Sequence, residues 1–159
     1  MFRNLSRRAL LSAIISTAIM PSLARGQGPV AFAKDKLSID TTNGRKTFDV
    51  ELALSDMQHS QGLMYRRKLG PDAGMLFDYR YSQRVTMWMR NTYIPLDMIF
   101  IGADGRVVNI TERAIPLSDA IIASKGRVRA VLEVNGGTVS RLGIRPGAKV
   151  YHRIFGTAP

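Results

Sequence analysis

Apolar and polar residues alternate with a period of two along much of the chain after residue 35. Alternate side chains of an extended strand lie on opposite faces, so this pattern predicts strands with one apolar and one polar face. The run 96–101 is apolar apart from one acid, which is typical of a central strand. About eight short strands are predicted, at 37–41, 47–54, 75–79, 85–90, 96–101, 107–112, 127–134 and 148–154.

Short helices are predicted at two places between the strands. Ser55 is a candidate N-cap, and Gln58 three residues later completes a capping-box pattern, with Met57, Leu63 and Met64 expected to face the core. A second helix is predicted at roughly 138–142. These elements predict a mainly β fold, a compact sandwich or partly closed barrel with one or two short helices, formed by a single domain at 36–156.

The N-terminal segment 1–24 has the pattern of a cleaved export signal. It begins with a basic stretch that contains Arg7 and Arg8, continues with an apolar stretch, and ends at small residues. The paired arginines resemble a twin-arginine signal, although such pairs also occur in Sec signals, and an uncleaved anchor is a further alternative. We therefore expect a bacterial protein that is periplasmic or extracellular, with a flexible lead-in at 25–35 and no membrane span after cleavage.

The composition excludes several kinds of chemistry. The 159 residues include no cysteine and only two histidines, so disulfides, thiol nucleophiles, cysteine–zinc sites and three-histidine metal sites are excluded within one chain. We expect no metal and no cofactor. A copper site formed by methionines is an alternative, because Met57, Met64, Met75, Met87, Met89 and Met98 fall close together, but these positions also follow the periodicity of the core.

The chain is strongly basic. Its formal net charge is +11, and removal of residues 1–24 leaves 20 basic and 12 acidic residues, a net charge of +8. Nucleic acid is not an expected partner of an exported protein without a recognised binding motif. An anionic glycan or another envelope component fits better, with Arg141, Arg145, Lys149 and Arg153 around Tyr151 as the candidate surface. The alternative is that the charge only confers solubility.

Several sequence strings together resemble one known family. They are QGLMYR at 61–66, GMLF at 74–77, WMRNTYIPLD at 88–97, DG at 104–105 and VLEVNGG at 131–137. In this order they resemble the domain of unknown function 192 family, also called uncharacterised protein family 0127, over about 49–151. The resemblance implies a small β-rich fold that is often exported. It implies no established activity, substrate or catalytic residue.

The candidate binding residues are Trp88, Arg90, Asn91, Thr92, Asp97 and Arg66. An indole ring, a guanidinium and an amide at one rim would form a platform for a sugar or a carboxylate. The alternative is a structural loop in which Asn91 and Thr92 cap a turn with their own side chains. In that alternative Asp97 ties the loop down by accepting backbone N–H bonds.

A pair of acids is the candidate catalytic group. If Asp97 and Glu133 faced each other they could hydrolyse a glycoside. The simpler alternative is that Glu133 forms an ion pair with Arg127 or Arg129, which share its predicted strand face. The sequence thus favours an exported, non-catalytic module that binds a small ligand, an envelope glycan or a protein. A carbohydrate hydrolase and a structural envelope protein without a ligand are the alternatives.

Overall fold

The fold of residues 30–158 is a curled seven-stranded sheet, seen in a computed structural model. The strands are β1 Ala33–Thr41, β2 Gly44–Ala53, β3 Ala73–Gln83, β4 Thr86–Met87, β5 Leu96–Ile101, β6 Val107–Ala114, β7 Ile122–Ala123, β8 Val128–Asn135 and β9 Val150–Tyr151. The sheet order is β6-β5-β8-β3-β2-β1-β9, and β4 pairs separately with β7. The predicted mainly β, partly closed architecture is confirmed.

The short helices begin where the sequence predicts them. Helix α1, Asp56–Gln61, has a complete capping box, because the Ser55 hydroxyl accepts the Gln58 N–H and the Gln58 side chain accepts the Ser55 N–H. The Gln58 amide also donates to the Ala31 carbonyl at 2.7 Å, which ties the helix to the segment before β1. Helix α2 is Thr138–Leu142, and a 3-10 turn, Arg153–Phe155, follows β9.

Apolar clusters cover both faces of the main sheet. One face buries Leu132, Val134 and Ile99, and the other buries Val131, Met98 and other large side chains. Strands β5 and β8 are therefore buried on both sides, although alternation in β8 predicts one polar face. The reason is that the segments 56–69 and 85–95 cross the second face and remove it from solvent.

Three local predictions are wrong. The stretch predicted as a strand at 85–90 keeps only β4, because residues 90–91 form a turn. The strand predicted at 148–154 is cut to β9 by the 3-10 turn that follows it. Met57 does not face the core: it lies on the outer side of α1 and is 51% exposed.

The N-terminal predictions fall mostly on residues that the structure does not describe. The export signal at 1–24 lies outside residues 30–158, as does the first part of the lead-in. The later part of the lead-in is a strand, since Ala33 begins β1 and pairs with Leu52 of β2. Within residues 30–158, none of the helices has the length and apolar character needed to cross a membrane.

Candidate functional site

A pocket of about 240 Å³ lies where α1 and the segment 86–92 face the main sheet. We call it the Glu133 pocket, after the acid that lines it from β8. Its apolar wall comes from aromatic rings and thioethers, and its remaining lining comes from hydroxyl, amide and backbone groups. The lining residues are His59, Ser60, Gln61, Gly62, Leu63, Met64, Phe77, Tyr79, Thr86, Met87, Trp88, Thr92 and Glu133.

Glu133 is a buried acid with no partner among the described residues. It is 4% exposed, and its register neighbours are Met75 on β3 and Met98 on β5. Within residues 30–158 no side chain or backbone group donates a hydrogen bond to it or forms an ion pair with it. Burial disfavours the ionised form, which raises the pKa of Glu133 to about 8.

The predicted ion pair between Glu133 and the neighbouring arginines is wrong. Arg129 instead pairs with Asp78, with 2.7 Å between its Nε and a carboxylate oxygen. Arg127 donates to the backbone carbonyl of Ser82. Both arginines therefore bind groups on β3, and neither of them pairs with Glu133.

The aromatic wall of the pocket joins α1 to β3. The His59 ring lies 4.7 Å from the Tyr79 ring and 6.1 Å from the Phe77 ring, measured between centroids. The Tyr79 hydroxyl donates to the Met87 sulfur at 3.3 Å. Burial, and to a lesser degree the charge of Glu133, raises the pKa of Tyr79 far above its usual range, so this phenol stays protonated.

The predicted platform at 88–92 is only partly assembled. Trp88 lines the pocket and is 47% exposed, and Thr92 lines it from a buried position. Arg90 leaves the pocket and pairs with Asp119 at 2.7 Å, while its guanidinium lies 5.0 Å from the centre of the Trp88 ring. Strand β4 ends at Met87, so the side chains of Trp88, Arg90 and Thr92 do not extend from one strand face.

The turn at 90–92 also shows some of the predicted structural loop. The Thr92 hydroxyl donates to the Arg90 carbonyl at 3.3 Å, a local bond of the predicted kind. Asn91 has a left-handed backbone with φ of 55°, and its side-chain amide lies 3.9 Å from the Met64 sulfur. The loop is thereby joined to the segment after α1, which forms the opposite wall of the pocket.

Asp97 lies on the other face of the sheet, away from the pocket. It is fully buried, and its two oxygens accept the backbone N–H groups of Arg113, Gly137 and Val139 at 2.8 to 2.9 Å. Asp97 is paired in register with Val134, whereas Glu133 is paired with Met98. Adjacent residues of a strand point to opposite faces, so the structure does not bring the two acids together.

The other predicted candidates also lie apart from the pocket. Arg66 forms a two-pronged ion pair with Glu51, with N–O distances of 2.8 Å and 2.5 Å. In the late basic region, the Tyr151 ring is covered by the guanidinium of Arg45 at 3.6 Å, and Arg153 pairs with Asp35. Both arrangements occupy groups that the sequence offered as free binding surfaces.

The six methionines of the copper alternative divide among the pocket, the core and, for Met57, the outer surface of α1. Met64 and Met87 line the pocket, whereas Met75, Met89 and Met98 are completely buried. No group of three His, Asp or Glu side chains in the described part of the chain could hold a metal ion. The core positions agree with the ordinary packing role of methionine.

Sequence reasoning did not find the pocket as a unit. It singled out Trp88 and Thr92 but did not connect them with His59 of α1 or with Tyr79 at the end of the strand predicted at 75–79. A signal was present in the strings that carry the family resemblance. Four of them contribute to this pocket: 61–66, 74–77, 88–97 and 131–137.

A curled β sheet with a short helix beside a small pocket defines a small, mainly β domain. The chain belongs to the DUF192 family, described as "Uncharacterized ACR", whose model matches residues 38–152. The resemblance recognised in the sequence strings is thus confirmed. Among curated proteins, none matches this chain.

Two solved structures are similar to this chain. One is a protein from Sinorhizobium meliloti 1021, provisionally described as a transcription regulator. It is 48% identical, covers 80% of this chain and 99% of its own, and has a TM-score of 0.77. The other is a protein of unknown function from Novosphingobium aromaticivorans, 44% identical, which covers 75% of this chain and 85% of its own with a TM-score of 0.73.

Proposed function

We propose that this chain is an exported, non-catalytic domain that binds a small ligand in the Glu133 pocket. The observation that carries the proposal is a pocket lined both by a half-exposed Trp88 and by a buried acid that has no partner within residues 30–158. Burying a carboxyl group without a hydrogen-bond partner is costly for a fold, and Glu133 has none within residues 30–158. Perturbed acids in apolar pockets are concentrated at functional sites.

The geometry favours binding over the predicted hydrolase. Glycoside hydrolysis needs two carboxyl groups on either side of one bond, and Asp97 and Glu133 lie on opposite faces of the sheet. Asp97 has its oxygens occupied by three backbone N–H groups. Among the described residues, Glu133 is therefore the one acid that lines this pocket.

Gene regulation is not carried over from the Sinorhizobium relative. Helix-turn-helix proteins read DNA with a helix laid in the major groove, supported by a second helix. The two α-helices described here are α1 with six residues and α2 with five, and they are separated by most of the sheet. The described residues thus offer no such helix pair.

Ligand binding is tested with the protein purified gently from the periplasm of an export-competent bacterium. Native mass spectrometry and an NMR fragment screen should reveal ligands that perturb residues lining the pocket. We expect Trp88→Ala to weaken such a ligand at least tenfold, because the indole forms the entrance wall. Tyr81→Ala, which removes an exposed ring outside the pocket, is the control and should leave affinity unchanged. Equal effects of the two variants, or no ligand at all, would favour a structural envelope protein.

Export is tested on the full chain. If the signal is of the twin-arginine kind, replacing Arg7 and Arg8 together by lysine should abolish the periplasmic fraction, because that route reads the arginine pair itself. Arg3→Lys is the matched control and should be exported normally. Continued export of the double variant, with sensitivity to inhibition of the Sec pathway, would assign the chain to Sec.

A further inference from the structure

The lining of the Glu133 pocket has the opposite electrostatic character to the chain as a whole. The chain has a formal net charge of +11, yet among residues 30–158 no Lys or Arg lines this pocket and the one acid in its lining is Glu133. Arg90, two residues after Trp88 in the chain, pairs with Asp119. An anionic or phosphorylated ligand would therefore find no positive partner inside, while a cation would find a carboxylate.

We infer that the ligand is a small organic cation with N–H donors, a primary amine, that pairs with Glu133 and lies against the aromatic wall. This inference rests on the proposed binding function and specifies its ligand class. Glu133 has no hydrogen-bond donor among the described residues, so a ligand ammonium would supply both the missing donor and the missing countercharge. A neutral ligand would supply only one of them.

The walls suit a cation as well. Four rings line the pocket, those of His59, Phe77, Tyr79 and Trp88, and the face of an electron-rich ring attracts a cation within about 6 Å of its centroid. The Met64 and Met87 sulfurs add polarizable surface without positive charge. The volume of about 240 Å³ lies below the range of about 300 to 1,000 Å³ that is usual for small-molecule pockets, so the ligand is compact.

Binding of an amine is expected to release a proton. The neutral Glu133 carboxyl meets an ammonium ion, and pairing converts the acid to its carboxylate while its proton goes to solvent. The ammonium keeps all its protons, and no covalent bond to carbon changes. Because the pKa of Glu133 is raised to about 8, the pairing is favoured as the pH rises toward that value.

The other titratable groups that face Glu133 are few. His59 faces it from α1 and Tyr79 from β3, whereas the lining contributed by β4 is Thr86 and Met87. Strand β5 presents Met98 beside it. Tyr79 remains protonated because its pKa is raised, so a variant that removes the His59 ring is the control needed for the pH dependence.

The probe pair is butylamine and 1-butanol, which are closely matched in size and differ in charge. NMR titrations of the periplasmic protein give both affinities from pH 6.5 to 8.5, a range in which an alkylammonium stays protonated. We expect butylammonium to bind at least tenfold more tightly at pH 8.5 than at pH 6.5, and 1-butanol to show no such dependence. Glu133→Gln should remove the pH dependence and at least tenfold of the affinity at pH 8.5.

Control variants distinguish the sources of any effect. Glu112→Gln removes an exposed acid and should leave butylammonium binding unchanged, and His59→Gln should keep the pH dependence. Trp88→Leu, a second pocket variant, should weaken butylammonium binding and retain its pH dependence. NMR dispersion confirms that each variant is folded.

Other outcomes would overturn the inference. If 1-butanol binds as well as butylammonium and Glu133→Gln changes neither, the pocket binds ligands but not cations. The inference also fails if the pH dependence of butylammonium binding disappears in His59→Gln. It fails likewise if the native ligand found by mass spectrometry is neutral or anionic. If neither probe binds and no native ligand is found, the proposed function fails together with the inference.

Discussion

Asp97→Ala is expected to lower the free energy of unfolding by about 3 to 5 kcal/mol. The carboxylate of this residue accepts three backbone N–H groups, from Arg113 at the end of β6, Gly137 before α2 and Val139 within α2. Each buried donor left without an acceptor costs about 1 to 3 kcal/mol, and the three losses are not fully additive. Alanine supplies no acceptor, and the site is too buried for water to enter freely.

Urea denaturation measures this effect. Asp97→Asn keeps one oxygen acceptor and should lie between alanine and the native chain. Asp49→Asn, which breaks an exposed pair with Lys36, is the control and should leave the unfolding midpoint unchanged. A loss for Asp97→Ala no larger than that of the control would mean that the three N–H groups find other partners.

The elements that sequence predicts best are those fixed by local chemistry. The capping box at Ser55 and Gln58 depends on residues three apart, and the glycines before 138 and after 142 bound α2. The central strand at 96–101 is confirmed, and all six of its residues are buried, as expected for a mostly apolar run covered on both faces. These signals lie within the segments themselves.

The elements that sequence missed depend on distant partners. The two-residue strand β4 exists because it pairs with β7, and Thr86 is in register with Ala123, a residue 123 − 86 = 37 positions later in the chain. Such short strands have no periodicity of their own. The buried state of Glu133 has the same origin, since the polar face predicted for β8 is covered by segments that lie far from it in the chain.

The candidate site illustrates both cases. Asp97 accepts backbone N–H groups as the structural alternative predicted, but these groups belong to Arg113, Gly137 and Val139 and not to the loop before Asp97. That Trp88 and Glu133 line one pocket could not be predicted from the sequence. It depends on the register of β8 against its neighbouring strands and on the path of the segment 85–95 across the sheet. The family strings marked the right segments without giving their arrangement.

Glu133→Gln is expected to stabilise the protein at alkaline pH by up to about 5 kcal/mol. The pKa of Glu133 is raised from 4.5 to about 8 in the folded chain. Between these values the folded chain holds a proton that the unfolded chain has lost, so the free energy of unfolding falls as the pH rises and levels off above about 8. Glutamine resembles the neutral acid in shape and does not ionise, so it lacks this loss.

The difference in the free energy of unfolding between Glu133→Gln and the native chain isolates the effect of Glu133 ionisation. Burial lowers the pKa of His152, which adds stability as the pH rises toward 6.5 and partly offsets the fall caused by Glu133 in the native chain. Subtracting the Glu133→Gln curve, measured by urea denaturation from pH 5 to 9, cancels the shared His152 contribution. We expect the difference to be small at pH 5 and to grow until about pH 8, while Glu112→Gln, an exposed acid, gives a flat difference. Parallel curves for Glu133→Gln and the native chain would show that this carboxyl is solvated or paired in solution, and would remove the electrostatic basis of the pocket.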